Sequence, residues 1–227
     1  MGTLYVVATP IGNLEDITLR ALRVLKEVSL VLCEDTRHTR ILFNKYDIKT
    51  RTESYHVHSN DAKLRSVAEK LNEGMDIALV SDAGTPLISD PGSPLISYLK
   101  RIFGADLRVV AVPGPSALTA ALSIIPVPSG RFTFLGFLPH KKGRHTVIMN
   151  MKDSGEAFVF YESSHRIVKL LGELDKDYPE AKVSIGRELT KQFEEVIEGN
   201  PSQLMNLLET RPEKQKGEFV VVVEKGV

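Results

Sequence analysis

The sequence predicts a two-domain α/β protein, and three observations carry that prediction. Four short runs rich in β-branched residues are nearly continuous in hydrophobicity rather than alternating, as expected of parallel strands covered on both faces. Helical 3.6-residue periodicity separates them. After "VPGPSA" (112–117) the pattern changes to an almost wholly apolar helix followed by aromatic, strand-like runs. At 227 residues the chain is long enough for two modest domains. The boundary is placed near Gly114, giving an N-terminal α/β domain over 1–113 and a C-terminal one over 114–227.

In chain order, "LYVVA" (4–8) is the first strand. Residues 16–28 form a helix with Leu22, Leu25 and Val28 on one stripe, and "SLVLCE" (29–34) is the next strand. Residues 60–74 carry Leu64, Val67, Ala68 and Leu71 at helical spacing, with Asn60 offering a cap and Gly74 a stop. "DIALVS" (76–81) is a strand, Leu95, Leu99 and Ile102 mark a helix ending before Gly104, and "LRVVAV" (107–112) is the last strand of this half. The second half reads as the helix "SALTAALSII" (116–125), strands at 131–137 and 157–162, and a helix at 164–174. A strand at 182–186, a polar segment at 193–199, a short helix opened by Pro201 and the strand "FVVVVE" (219–224) follow, with some antiparallel pairing.

Composition excludes several classes. Lys and Arg total 29, as do Asp and Glu, so the formal net charge is zero and any polyanion site must be local. Cys33 is the single cysteine, which rules out an intrachain disulfide and leaves no paired-thiol context for structural zinc. No apolar run approaches the roughly 20 residues of a membrane helix, and Val6 stands where a myristoylation signal needs Ser or Thr. A cytoplasmic protein is expected. Neither GxGxxG nor GxxxxGK[ST] is present, Ser163-Ser164-His165 is not a G-x-S-x-G elbow, and nothing requires a metal.

Chemistry is expected in the loops. "ATPIGN" (8–13), "SDAGTP" (81–86) and "VPGPS" (112–116) each follow a strand with glycine and proline, residues that permit close backbone approach and fix chain direction. Ordinary turns are the alternative, although the double interruption around Asp82 and Asp90 exceeds what one connection needs. From 107 to 152 there is no acidic residue, and "HKKGRH" (140–145) concentrates Lys141, Lys142 and Arg144. This knot reads either as a phosphate-backbone contact or as a solvated loop. "CEDTRHTR" (33–40) adds Arg37, His38 and Arg40, unless Glu34 and Asp35 simply pair with them. In "FYESSHR" (160–166), Tyr161 is a stacking candidate, Glu162 a hydrogen-bonding or proton-accepting one and Arg166 a phosphate anchor. A Ser164 helix cap, a core Tyr161 and a surface Arg166 are equally available readings. "GRELTKQFEE" (186–195) offers Arg187, Glu188 and Lys191 as an ion network.

Taken together in this order, "YVVATPIGNLEDIT", "CEDTRHTR", "ALVSDAGTPLISDPG", "VPGPSA", "FLGFLP", "YESSHR" and "GRELTKQFEE" closely resemble the tetrapyrrole-methylase superfamily over almost the whole chain. The resemblance is strongest to its branch that methylates the 2′-hydroxyl of a decoding-region cytidine in 16S ribosomal RNA. It implies two α/β/α domains with S-adenosylmethionine in the cleft between them, commonly in a homodimer, acting on ribosomal RNA or the assembled small subunit. It places cofactor contacts at Pro10, Asp82, Gly84, Thr85, Pro113, Ser116, Ala117 and Tyr161. Substrate-side residues are Arg37, His38, Arg40, Glu162, Arg166, Arg187 and Lys191, beside the basic knot. Glu162 is the first candidate for a base or orienting group, with His38 behind it. Two features depart from the branch: Ser164 stands where proline is common, and many relatives continue into a small C-terminal extension. Methylation of a tetrapyrrole precursor, or a nucleotide-binding ribosome-maturation role without catalysis, are the competing functions.

Overall fold

The computed structural model describes residues 1–56, 61–89, 92–127 and 130–226. Its chain contacts separate two compact units, Met1–Ser116 and Ala117–Val227. Asn60, expected as a helix cap, and Asp90, expected in the second turn after "SDAGTP", lie outside the described residues.

The first unit is a five-stranded sheet in the order β3-β2-β4-β1-β5, parallel throughout, built from β1 (Thr3–Val7), β2 (Leu30–Cys33), β3 (Thr52–Ser54), β4 (Ile77–Leu79) and β5 (Arg108–Val112). Its helices are α1 (Leu19–Glu27), α2 (Thr36–Lys45), α3 (Asp61–Asn72) and α4 (Ser93–Phe103). Successive strand residues point to opposite faces. Val31 and Cys33 therefore enter a core with α1 and α2 residues such as Leu25 and Phe43, while Leu30 and Leu32 enter another with Val67 and Leu99 of α3 and α4. Two buried faces are the reason the strands read as continuous apolar runs. β5 is the exception: it is an edge strand whose Arg108 and Ala111 are exposed, so the expected burial on both faces fails there.

Local signals set several helix ends. Thr18 caps α1 by accepting from the Ala21 amide, and Asp35 caps α2 by accepting from that of Arg37. Ile102, expected in the buried stripe of α4, is 51% exposed, and the buried positions are Leu95 and Leu99.

The second unit has sheet order β6-β7-β10-β8-β9, from β6 (Phe132–Phe137), β7 (Ala157–Ser163), β8 (Ala181–Arg187), β9 (Glu195–Gly199) and β10 (Glu218–Lys225). Only β6 and β7 run parallel; the other pairs are antiparallel. Helices α6 (Arg144–Ser154), α7 (Ile167–Asp177) and α8 (Pro201–Thr210) cover one face through Ile148, Leu170, Leu171 and Leu204, while α5 (Ala117–Ile124) packs on β10. α7 starts at Ile167 rather than at Ser164. A turn closed by the Arg166 amide on the Ser163 carbonyl at 3.0 Å comes first, so Ser164 is not its cap.

Candidate active site

The turns after β1, β4 and β5 are tied together at the carboxyl edge of the first sheet. The Thr9 amide donates to the Gly84 carbonyl at 2.9 Å, and the Gly84 amide returns a bond to Thr9 at 3.0 Å. Thr9 Oγ1 donates to the Ser81 carbonyl at 3.1 Å, and Thr85 Oγ1 to that of Pro115 at 3.1 Å. The Ala8 amide reaches the Val112 carbonyl at 3.2 Å. These bonds bring Pro10, Asp82, Gly84, Thr85, Pro113 and Ser116 to one sheet edge, at the strand β1 where the sheet order reverses. That is the usual ligand-binding position of an open α/β sheet.

Gly84 shows why the turn needs glycine. Its φ is +79°, and a Cβ built there would lie 3.3 Å from Ile11 Cγ2. Gly114 is as tightly placed, since a Cβ would stand 3.1 Å from that of Ala8. Pro10 is buried and shapes the backbone, whereas Pro113 is exposed.

Asp82 links this edge to β2. Its Oδ1 accepts from the Asp35 amide at 3.0 Å, and together with Glu34, Thr36, Arg37, Ser54 and His56 the two aspartates line an open depression of about 410 Å³. Arg37 donates to the Asp35 carboxylate from Nε and Nη2, the latter at 2.7 Å. These bonds hold the Asp35 carboxyl far below the ordinary range. Arg37 is nevertheless solvent-facing, and His38 and Arg40 are exposed on the same helix. Cys33, buried next to this edge, has its thiol pKa raised by burial.

In the second unit, Glu162 is enclosed, with none of its side chain exposed. Its Oε2 accepts from Arg144 Nη1 at 3.3 Å and Nη2 at 3.2 Å, its Oε1 accepts from the Ser163 amide at 2.9 Å, and Arg166 Nε forms an ion pair with Oε1 at 3.1 Å. Arg144 also bonds Glu173 and, at 3.4 Å, the Pro139 carbonyl; Arg166 Nη2 donates to the Leu138 carbonyl at 2.6 Å. Tyr161 meets Phe134 and Phe137 edge-on, with centroids 5.1 and 5.5 Å apart, and Ala117 opens α5.

Two expected RNA contacts are corrected by this geometry. Arg144 is 4% exposed and committed to two glutamates, so it is an internal strut of α6 and not part of the basic surface, which is left to Lys141 and Lys142. Arg187 is 8% exposed and ties the β8–β9 connection to the α8–β10 connection, donating to the carbonyls of Lys216 at 2.8 Å, Glu213 at 3.1 Å and Phe193 at 3.3 Å and to Glu195 at 3.0 Å. Lys191 bridges Glu188 at 2.9 Å and Glu218 at 2.8 Å. Burial would lower its pKa, but the bonds to Glu218 and Glu188 outweigh burial and raise it. Sequence reasoning missed Glu173 and the carbonyls of Leu138 and Pro139. The quoted run "FLGFLP" held the second clue, while Glu173 had none, because its partner Arg144 is 29 positions away. Among the described residues, no group of His, Cys, Asp and Glu could hold a metal ion.

Comparison with known proteins agrees with this architecture. The Ribosomal RNA small subunit methyltransferase I of Xylella fastidiosa is 43% identical over 98% of this chain and 81% of that protein. The Thermotoga maritima protein of the same name is 41% identical over 98% of each chain. Among solved structures, diphthine synthase superposes with a TM-score of 0.73 at 16% identity, covering 99% of this chain and 90% of that one. The methyltransferase CobJ does so with 0.72 at 18% identity, covering 99% and 95%. The sequence pattern of the Tetrapyrrole (Corrin/Porphyrin) Methylases matches residues 3–205, and the chain belongs to that family.

Proposed function

We propose that this chain transfers a methyl group from S-adenosylmethionine to the 2′-hydroxyl of a decoding-region cytidine in small-subunit ribosomal RNA. The observation that carries this reading is the reciprocal pair of backbone hydrogen bonds between Thr9 and Gly84, which holds two glycine- and proline-bearing turns together at the switch point of the sheet. The relatives' shared name supplies the substrate class.

The tied turns fit such a cofactor. Gly84 keeps the edge clear of a side chain near Ile11 and the Pro115 carbonyl, and Asp82 spends only Oδ1 on the Asp35 amide. Pro10, Asp82, Gly84, Thr85, Pro113 and Ser116 would hold it. Ala117 and Tyr161 are added on the family motif alone. When bound, the cofactor supplies a methyl group already activated on a sulfonium, so the protein needs no covalent intermediate of its own.

What remains for this chain is positioning and proton removal. An alcohol is a weak nucleophile, so its proton must leave as the oxygen attacks. Both carboxylate oxygens of Glu162 are occupied by guanidinium and amide donors, which favours an orienting role for it and passes the proton-accepting role to His38, exposed on α2. Lys141 and Lys142 attract the phosphate backbone, and Arg37 and Arg40 are further cationic contacts. A homodimer working in the cytoplasm on RNA or on the assembled small subunit completes the proposal. Among the described residues, no helix is long and apolar enough to cross a membrane.

The test is transfer of labelled methyl from S-adenosylmethionine to naked small-subunit RNA and to mature and immature subunits, with mass-spectrometric mapping. The label should remain on the ribose after base release. No incorporation into any of these substrates would overturn the reading, and incorporation into a tetrapyrrole precursor would replace it.

A further inference from the structure

The buried ion cluster of the second unit does more than fill space. Glu162 engages Arg144 and Arg166, and each guanidinium group also donates to a backbone carbonyl, Arg144 to that of Pro139 and Arg166 to that of the preceding Leu138. Residues 140–143 follow immediately and hold the exposed His140, Lys141 and Lys142. The stretch ends at Gly143, with φ +89°, and the next residue is Arg144, the first residue of α6 and a member of the same cluster. The basic stretch is thus clamped at its start through two carbonyls and at its end through Arg144. Glu162 connects the two clamps.

A cluster meant only to stabilise the core would do as well if it were apolar, because desolvating charges offsets most of their attraction. Here the charged groups have another output, the direction of a four-residue loop whose lysines stay in solvent. Two guanidinium and two carboxylate groups, counting Glu173, balance within the cluster, so it adds no net charge to compete with the lysines.

We infer that Glu162 is a positioning residue which, through Arg144 and Arg166, fixes the 140–143 loop so that Lys141 and Lys142 meet the RNA phosphate backbone together. The inference rests on the proposed RNA substrate and deepens it.

The test compares Glu162→Gln, Arg166→Lys and the double variant Lys141→Ala/Lys142→Ala with the unaltered protein. Binding to a transcript of the small-subunit ribosomal RNA is measured across salt concentrations, beside binding of S-adenosylmethionine. Losing two phosphate contacts should flatten the plot of log affinity against log salt by about 1.4. Glu162→Gln and Arg166→Lys should move toward the slope of the double variant. They should raise the KM for RNA about 10-fold and lower kcat by clearly less than that, the split expected when RNA contacts are misdirected. Cofactor affinity should stay within about twofold. Amide exchange over 138–143 should accelerate.

Weakened RNA binding in the lysine variant, with unaltered slope and affinity in both cluster variants, would overturn the inference and leave the proposed function intact. Equal loss of RNA and cofactor affinity in the cluster variants would also overturn it, as the mark of general unfolding. Methylation that proceeds normally without both lysines would remove the loop from RNA binding and the inference with it. Failure of the unaltered protein to bind or methylate the RNA would instead defeat the proposed function first.

Discussion

Thr9 and Gly84 exchange both backbone hydrogen bonds, at 2.9 and 3.0 Å, although they belong to turns after different strands. The exchange makes the turns one rigid object. Because Gly84 has φ +79° and Ile11 stands 3.3 Å from where a Cβ would be, Gly84→Ala must strain the backbone and push Ile11. The left-handed conformation costs a side-chain-bearing residue about 1–2 kcal/mol. That should lower the melting temperature by only about 2–8 °C in a chain this size. Displacement of the ligand-facing backbone should matter more: S-adenosylmethionine affinity, read by calorimetry, is expected to fall at least about 10-fold. Unchanged affinity would remove these turns from the cofactor site.

Arg187 was expected at the RNA surface and lies instead in a knot of three loop carbonyls and Glu195. Arg187→Ala removes four hydrogen bonds made by a side chain that is itself only 8% exposed, and the expected loss is about 1–3 kcal/mol of unfolding free energy by urea titration. Arg187→Lys should recover only part of it, because an ammonium cannot span the acceptors that a planar guanidinium reaches. The salt dependence of RNA binding by the folded fraction should match that of the unaltered protein. A flatter slope would return Arg187 to the RNA contacts.

How far the structure can be read from residue order depends on how local each signal is. β2 was legible because Leu30, Val31, Leu32 and Cys33 feed two cores in turn, which leaves no polar position to hide the strand. β3 was not, since Thr52, Glu53 and Ser54 form a short, polar edge. α6 was hidden by the basic run at its start, which resembles a solvated loop until Arg144 is seen to turn inward. The turns at Gly84 and Gly114 could be named from glycine and proline placement, but their convergence could not. Likewise the motif around Glu162 was visible, while its partner Arg144, 18 positions away, is selected only by the packing of α6 against α7 and β10.

Cys33 is fully buried, its Sγ lies 3.8 Å from the Glu53 carbonyl, and burial raises its pKa. The thiolate is the reactive form, so the native protein should label with iodoacetamide at least about 100-fold more slowly than protein unfolded in guanidinium. Mass spectrometry of the alkylated chain reads this directly. Rapid native labelling would show that the β2 end opens readily and that the neighbouring Asp35–Asp82 contact is not rigid.

Glu53 predicts a pH dependence whose sign follows from its partners. The Lys63 hydrogen bond, followed by that of Lys70, lowers its pKa against the opposing effect of burial, and Arg51 lies 3.0 Å away. A carboxyl whose folded pKa is depressed binds fewer protons folded than unfolded between the two values. Its contribution is therefore complete above the unfolded pKa of about 4.5, declines as pH falls below that value, and is gone once pH drops through the folded pKa. Urea midpoints measured from pH 6 downward should fall, and Glu53→Gln should fall less steeply across the same window because it has no proton to gain. Parallel curves for the two proteins would mean that Glu53 does not hold α3 against β3 in solution.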